Sequence, residues 1–326
     1  MPARIAKRIF TAILNAQHIL LIPHRNPDGD ALGSITAIME YLKNGGKKYH
    51  AFCATDISTK FDYLPHIDEV GHDPTIFQDP SIDLIITCDS GDLRYAGVDQ
   101  YIARMNRRPL IANIDHHPTN EQYGDMNLVI PSAASATEIV YTFFHVNHIP
   151  VNSNMATSLL TGLITDTDNF TNGATSASSL SLASTLLHLG GNIKQIQEEF
   201  IRDKTLNALK VWGAVLGRLK KQETLNIVYT YVTQEDLRRY HVTEAETEGL
   251  ANFLNNLEEG RAGMILKENE DGSFKGSFRT TRDDTNVSQW ALALGGGGHV
   301  KASGFRVDGP IERAIETVFH SITNIK

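Results

Sequence analysis

The sequence predicts an α/β protein. The larger N-terminal domain has a mostly parallel, five-stranded sheet flanked by helices; a helical connector follows, then a smaller C-terminal α/β domain with a mixed sheet. Three observations carry this. Through roughly the first 130 residues, short apolar runs such as Ile19–Ile22 and Asp83–Cys88 alternate with stretches of helical spacing, the pattern of parallel strands joined by crossover helices. From about residue 135 to 222 helical spacing dominates. After residue 224 strand-like runs return, two of them around Asp271-Gly272, a hairpin signal. The expected boundaries are 1–191, 192–223 for the connector, and 224–326.

In order, Ile5, Ile9, Ile13 and Leu14 share one face of an opening helix, Arg4–Asn15. The strand Ile19–Ile22 leads into a turn and a helix that stops at Asn44-Gly45-Gly46, where glycine permits a left-handed residue. Lys48–Ala54 is a second strand and Asp83–Cys88 a third, followed by a helix expected over Leu93–Met105. Pro109–Ile114 is a fourth strand, with Met126–Ile130 beside it. Helices follow over Ser135–Asn147, Met155–Phe170 and Ser176–Leu189, then two more in the connector, which ends in the polar Lys220-Lys221-Gln222. The last domain begins with the strand Leu225–Tyr231. It continues through two helices to Leu257, the hairpin Ala262–Thr280, a short helix over Val287–Leu294, four glycines from Gly295 to Gly298, and a closing helix from Pro310.

Composition narrows the function. With 38 acidic against 30 basic residues the formal charge is -8, which argues against a broad basic face that coats long duplexes. Short phosphate substrates stay open. The two cysteines, Cys53 and Cys88, lie in apolar runs and are expected buried and reduced. No run approaches membrane-spanning length, and the amino-terminal stretch is amphipathic rather than signal-like, so the cytoplasm is expected.

The chemistry concentrates in four places. His24-Arg25-Asn26-Pro27-Asp28-Gly29-Asp30 follows the first strand, Asp89 the third, Asp115-His116-His117 the fourth, and Thr165-Asp166-Thr167 sits on a later helix. Open α/β sheets hold ligands at the carboxyl ends of their strands, and mixed imidazole and carboxylate donors suit a cation of the Mn, Fe or Zn kind better than Ca. The first segment alone reads equally as an Asx-rich turn with a helix cap. If all four converge, Asp28, Asp30, Asp89 and Asp166 bring together more negative charge than a low-dielectric site tolerates without cations. Two divalent ions would cancel it, and such a pair clamps phosphoryl oxygens during in-line displacement.

These segments resemble the ordered motifs of the DHH phosphoesterase superfamily. Phe278-Arg279-Thr280, with Gly296-Gly297-Gly298-His299-x-x-Ala302-x-Gly304, resembles its DHH-associated C-terminal domain, so the likeness spans nearly the whole chain. The compact length is most similar to the bacterial nano-RNase and pAp phosphatase subfamily. The resemblance implies two divalent ions, manganese first with magnesium or cobalt as alternatives. His24, Asp28 and Asp89 would hold one; Asp30, Asp89, His116 and Asp166 the other, with Asp89 bridging. It implies that Asp115 orients a histidine, that His117 faces the scissile phosphate, and that Arg279, His299 and the loop Gly296-Gly297-Gly298 grip the substrate's far end, making the C-terminal domain a ruler for short ligands. Arg25 is a further phosphate contact or an exposed ion pair. The other nine histidines are expected to be non-ligands. One position departs from the family: Asp168 stands where glycine is usual, and is expected to face solvent or cap a turn.

The expected activity is hydrolysis of short oligoribonucleotides to mononucleotides and of pAp to AMP and phosphate by a metal-activated hydroxide. A phosphodiesterase for linear or cyclic dinucleotides is the alternative, with inorganic pyrophosphatase and a non-catalytic nucleotide-binding module behind it. Two chains pairing as a homodimer is left open. Asp28-Gly29-Asp30 also resembles the nucleophile turn of haloacid dehalogenases, but Leu32 stands where that turn carries Thr or Val.

Overall fold

The computed structural model describes residues 2–200, 205–323 and 325. The chain divides into two compact units, 1–202 and 203–326.

The first unit contains α1 (Pro2–Asn15), β1 (Ile19–Ile22), α2 (Gly29–Asn44), β2 (Tyr49–Phe52), β3 (Val70–Gly71), β4 (Leu84–Cys88), α3 (Asp99–Ala103), β5 (Leu110–Asp115), β6 (Met126–Val129), α4 (Ala136–Val146), α5 (Ser153–Asp166), α6 (Ala177–His188) and α7 (Ile193–Phe200). Its strands lie in the order β3-β2-β1-β4-β5-β6, and every pair is parallel. Alternation explains why both faces are covered. Ile19 and Leu21 of β1 enter the core shared with α1, α2, α4 and α5, while Leu20 and Ile22 enter a second core with Phe52, Phe77, Val98 and Ile102. Such two-sided burial is what a parallel sheet requires.

Two expectations need correction here. The sheet has six strands, not five, because Val70–Gly71 adds a two-residue edge too short for periodicity to reveal. The helix expected over Leu93–Met105 shrinks to Asp99–Ala103. Ahead of it, Asp92 accepts from the Tyr95 amide, and Gly97 is left-handed at φ +75, so 92–98 is a string of turns.

The second unit contains α8 (Leu206–Leu216), β7 (Lys220–Gln222), β8 (Ile227–Val232), α9 (Gln234–Tyr240), α10 (Leu250–Phe253), β9 (Ala262–Glu268), β10 (Phe274–Arg279), α11 (Val287–Ala293), β11 (Gly297–Gly298), β12 (Ala302–Val307) and α12 (Ile311–Ile322). Its sheet runs β11-β12-β10-β9-β8-β7, antiparallel except for the parallel pair β8–β9. Lys220–Gln222, read as the polar end of the connector, is instead an edge strand paired with β8. Of the two helices expected before Leu257, α9 forms, and the second is reduced to α10 flanked by single 3-10 turns.

The glycine run also differs from the anion-wrapping loop that four glycines suggest. Gly297 and Gly298 pair with Gly304 and Ser303 as a strand. A Cβ on Gly296 would lie 2.1 Å from the Gly304 carbonyl oxygen, and one on Gly298 2.6 Å from Ser303 Cα. At these two positions glycine is required by close backbone packing.

Candidate active site

The strand order places a reversal between β1 and β4: the chain runs outward one way through β2 and β3, then outward the other way through β5 and β6. The crevice outside the carboxyl ends of strands at such a point is where open α/β sheets bind ligands. His24 follows β1, Asp89 follows β4, and Asp115 ends β5 ahead of His116 and His117. Asp28 caps α2, its Oδ1 accepting from the amides of Asp30 at 3.0 Å and Ala31 at 3.1 Å, and Asp166 ends α5.

Asp89 is the centre of this arrangement. It is buried, and its φ of +57 puts a non-glycine residue in the left-handed region, a conformation that Asp tolerates better than most and that recurs at functional sites. Its Oδ2 lies 3.5 Å from His24 Nε2; its Oδ1 lies 3.5 Å from both His116 Nε2 and His117 Nδ1. Among the described residues, three groups of donor atoms meet around it. His24, Asp28 and Asp89 each offer one donor atom within 4.8 Å of the others, as do Asp30, His116 and Asp166, and a third overlapping group joins Asp89 to Asp115, His116 and His117.

The supporting bonds fix which atoms face inward. His24 Nδ1 donates to the Arg25 carbonyl at 2.7 Å, leaving Nε2 toward the carboxylates, and its ring stacks on Tyr95 at 5.0 Å. His117 Nδ1 donates to Asp115 Oδ1 at 2.8 Å, and Asn120 donates to the other oxygen of Asp115. Asp30 is fully buried at the N-terminus of α4, where the amides of Thr137, at 2.9 Å, and Ala136 donate to its two oxygens. The helix terminus supplies the positive end of a dipole to that carboxylate.

The electrostatics describe a cluster short of positive charge. Burial disfavours the His24 imidazolium, but the carboxylates of Asp28 and Asp89 beside its Nε2 outweigh it and raise its pKa to about 11. His116 follows the same balance, burial against the nearby carboxylates of Asp89, Asp30 and Asp166, and rises to about 10. Burial, partly countered by His116 and reinforced by Asp89, pushes Asp166 up to about 7. Burial and the Asp89 charge also push Asp30 well above the carboxylate range. Burial works against the Asp89 carboxylate, yet His116 and His24 hold it below that range. Protons are thus drawn to a site whose donors are the nitrogen and oxygen set of a divalent ion. One observation bears on fit: Asp89 Oδ1 is buried without a hydrogen-bond partner, as suits an oxygen aimed at a cation.

Set beside known proteins, residues 18–163 match the model of the DHH family, N-terminal domain, and residues 210–324 that of the DHHA1 domain. The chain carries a DHH domain followed by a DHHA1 domain. Among curated DHH relatives, the bifunctional oligoribonuclease and PAP phosphatase NrnA of Thermus thermophilus is 27% identical over 318 residues, covering 97% of this chain and 93% of the relative. The protein of the same name from Bacillus subtilis is 26% identical over 289 residues, covering 88% of each. The fold matches the crystal structure of an exopolyphosphatase-related protein from Bacteroides fragilis with a TM-score of 0.88 at 20% identity, covering 98% of this chain and 96% of that one.

The remaining candidates of this DHH chain fall in two places. Arg25 is exposed, its Nε donating to the Tyr95 carbonyl at 3.2 Å. In the second unit, Arg279 ends β10 opposite Ala302, three residues past His299, and Gly297-Gly298 pair beside them. Arg279 Nε donates to Asn252 Oδ1 at 3.0 Å, and burial lowers the guanidinium pKa. Asp168 is exposed at φ +49, the left-handed backbone that favours glycine. Tyr95 and the α4 amides were missed in the sequence: neither a stacking ring inside a turn nor a backbone N–H carries a motif. Among the described residues, no histidine outside the motifs joins a metal-holding group.

Proposed function

We propose that this protein is a metal-dependent phosphoesterase that hydrolyses short oligoribonucleotides to mononucleotides and pAp to AMP and phosphate. The observation that carries the reading is Asp89, shared by donor groups on either side, in a DHH chain whose relatives along about nine-tenths of its length bear that dual name. His24, Asp28 and Asp89 would hold one ion and Asp30, Asp89, His116 and Asp166 the other, with manganese the first candidate. When bound, such a pair supplies charge neutralisation of phosphoryl oxygens and acidification of water for in-line attack on phosphorus.

The chain's own residues do the rest. Asp115 holds the His117 Nδ1 proton, which leaves Nε2 as the atom that meets the substrate. The bond to Asp115 raises the His117 pKa, so the ring keeps a proton to share with a phosphoryl oxygen or to give to the departing alkoxide as the P–O bond breaks. Asn120 steadies Asp115 and, through it, that ring. Arg279, with its planar fork, and His299 are the proposed grip on a second phosphate. The proposed location is the cytoplasm; among the described residues no helix is long and apolar enough to cross a membrane.

The test is a manganese-supplemented assay of pAp beside a ladder of RNA lengths, with products resolved. AMP plus phosphate from pAp and mononucleotides from the shortest RNAs are expected. Hydrolysis of cyclic or linear dinucleotides alone would replace this reading with the dinucleotide phosphodiesterase.

A further inference from the structure

We propose that the pole of the first unit opposite the metal cluster is a second nucleic-acid surface, which holds the sugar–phosphate backbone of single-stranded RNA. That the polyanion is RNA rests on the proposed function; the surface itself does not.

At the amino-terminal ends of β4, β5 and β6 lies a groove of about 880 Å³ rimmed by Arg4, Lys7, Arg8, Arg107 and Arg108. Its floor is apolar, with Leu110 51% exposed. A neighbouring cleft of about 600 Å³ shares Arg107, adds Arg104, and carries Tyr101, stacked on Phe77 at 5.2 Å. All six cations are exposed, and among the described residues only Arg108 has an ion pair, with Asp125. The acidic groups nearby are already engaged. Asp83 accepts from the amides of Gln17 and His18, Asp125 from Arg108 and the Ile111 amide, and Asp79 from Ser81.

Five cations without an ion pair on one pole of a chain with net charge -8 repel one another. An anion offsets that repulsion. The form of the surface selects which anion: exposed cations spaced along two joined grooves follow a phosphate backbone irrespective of sequence, and apolar or aromatic patches between them receive bases. A single small phosphate calls instead for buried, converging donors. The strand β5 runs from Leu110 at the groove to Asp115 at the cluster, about 17 Å at the usual rise per residue. RNA held here leaves the catalytic crevice open, and the surface keeps ends of RNA near it by raising their local concentration.

The experiment is fluorescence anisotropy of the full chain with a labelled twelve-nucleotide 2'-O-methyl oligouridylate, with and without saturating pAp, across about 50 to 200 mM salt. Wild type is expected to bind the probe in the presence of pAp. The double variant Lys7→Glu, Arg107→Glu should bind about tenfold or more weakly, with the slope of log affinity against log salt reduced by about 1.4, two lost single-strand contacts. Its rate of pAp hydrolysis and its melting temperature should match wild type. Unchanged binding in the double variant, or full displacement of the probe by pAp, by AMP or by inorganic phosphate, would overturn the proposal. A protein that binds the probe at this pole yet hydrolyses neither pAp nor RNA would refute the function and leave the surface standing.

Discussion

Asp166 shows what burial among other carboxylates does to a single side chain. Its pKa is raised from 3.8 to about 7, first by burial. The folded chain therefore keeps a proton that the unfolded chain releases, so this group's contribution to stability falls as pH rises from about 4 to about 7 and the loss persists above that. Asp166→Asn removes the cost. In EDTA near pH 8 it should melt a few degrees above wild type, while binding manganese more weakly; near pH 5 the gap should shrink to less than half. Scanning calorimetry at both pH values checks this, and equal melting at the higher pH would contradict it. The residues that cluster here were legible in the sequence because His24, Asp28, Asp30, Asp89, Asp115, His116, His117 and Asp166 combine a chemically informative type with a place at or beside an element's end. Asp30's partners were not, since the amides of Ala136 and Thr137 are backbone groups that any residue but proline could supply.

Helices α2 and α5 bring distant carboxylates together by near backbone contact. A Cβ on Gly33 would lie 2.3 Å from the Ser158 carbonyl oxygen, and one on Gly162 2.6 Å from Asp30 Oδ1. Gly33→Ala must therefore push the two helices apart, at about 1–3 kcal/mol for overpacking, and Asp30 moves away from Asp166 with them. A lower urea midpoint together with weaker manganese binding is expected; an unchanged midpoint would show that the helices yield freely. The same scale explains which elements the sequence revealed. β1, β4 and β5 are buried runs with turns behind them, whereas β3 has two residues and β7 is Lys220-Lys221-Gln222, polar because it lies at an edge. Residues 92–98 carry apolar side chains at helical intervals, but Ala96 and Val98 fill the thinner core from turns.

Over the whole molecule, the acidic cluster and the basic groove occupy opposite ends of one sheet, and the second unit adds Arg279 on a sheet of its own. Composition disclosed the net charge but not its separation into poles, because Arg4, Lys7, Arg107 and Arg108 are far apart along the chain. If Arg279 grips a phosphate remote from the bond being cut, Arg279→Ala should raise KM for dinucleotides far more than for a small chromogenic phosphoester. Equal changes on both would remove Arg279 from substrate recognition. The central claim, that residues from β1, α2, β4, β5 and α5 form one binuclear centre around Asp89, is tested most directly by anomalous diffraction from crystals grown with manganese. The account predicts two peaks about 3.5–4 Å apart with Asp89 in contact with both; a single peak, or a pair that Asp89 does not touch, would contradict it.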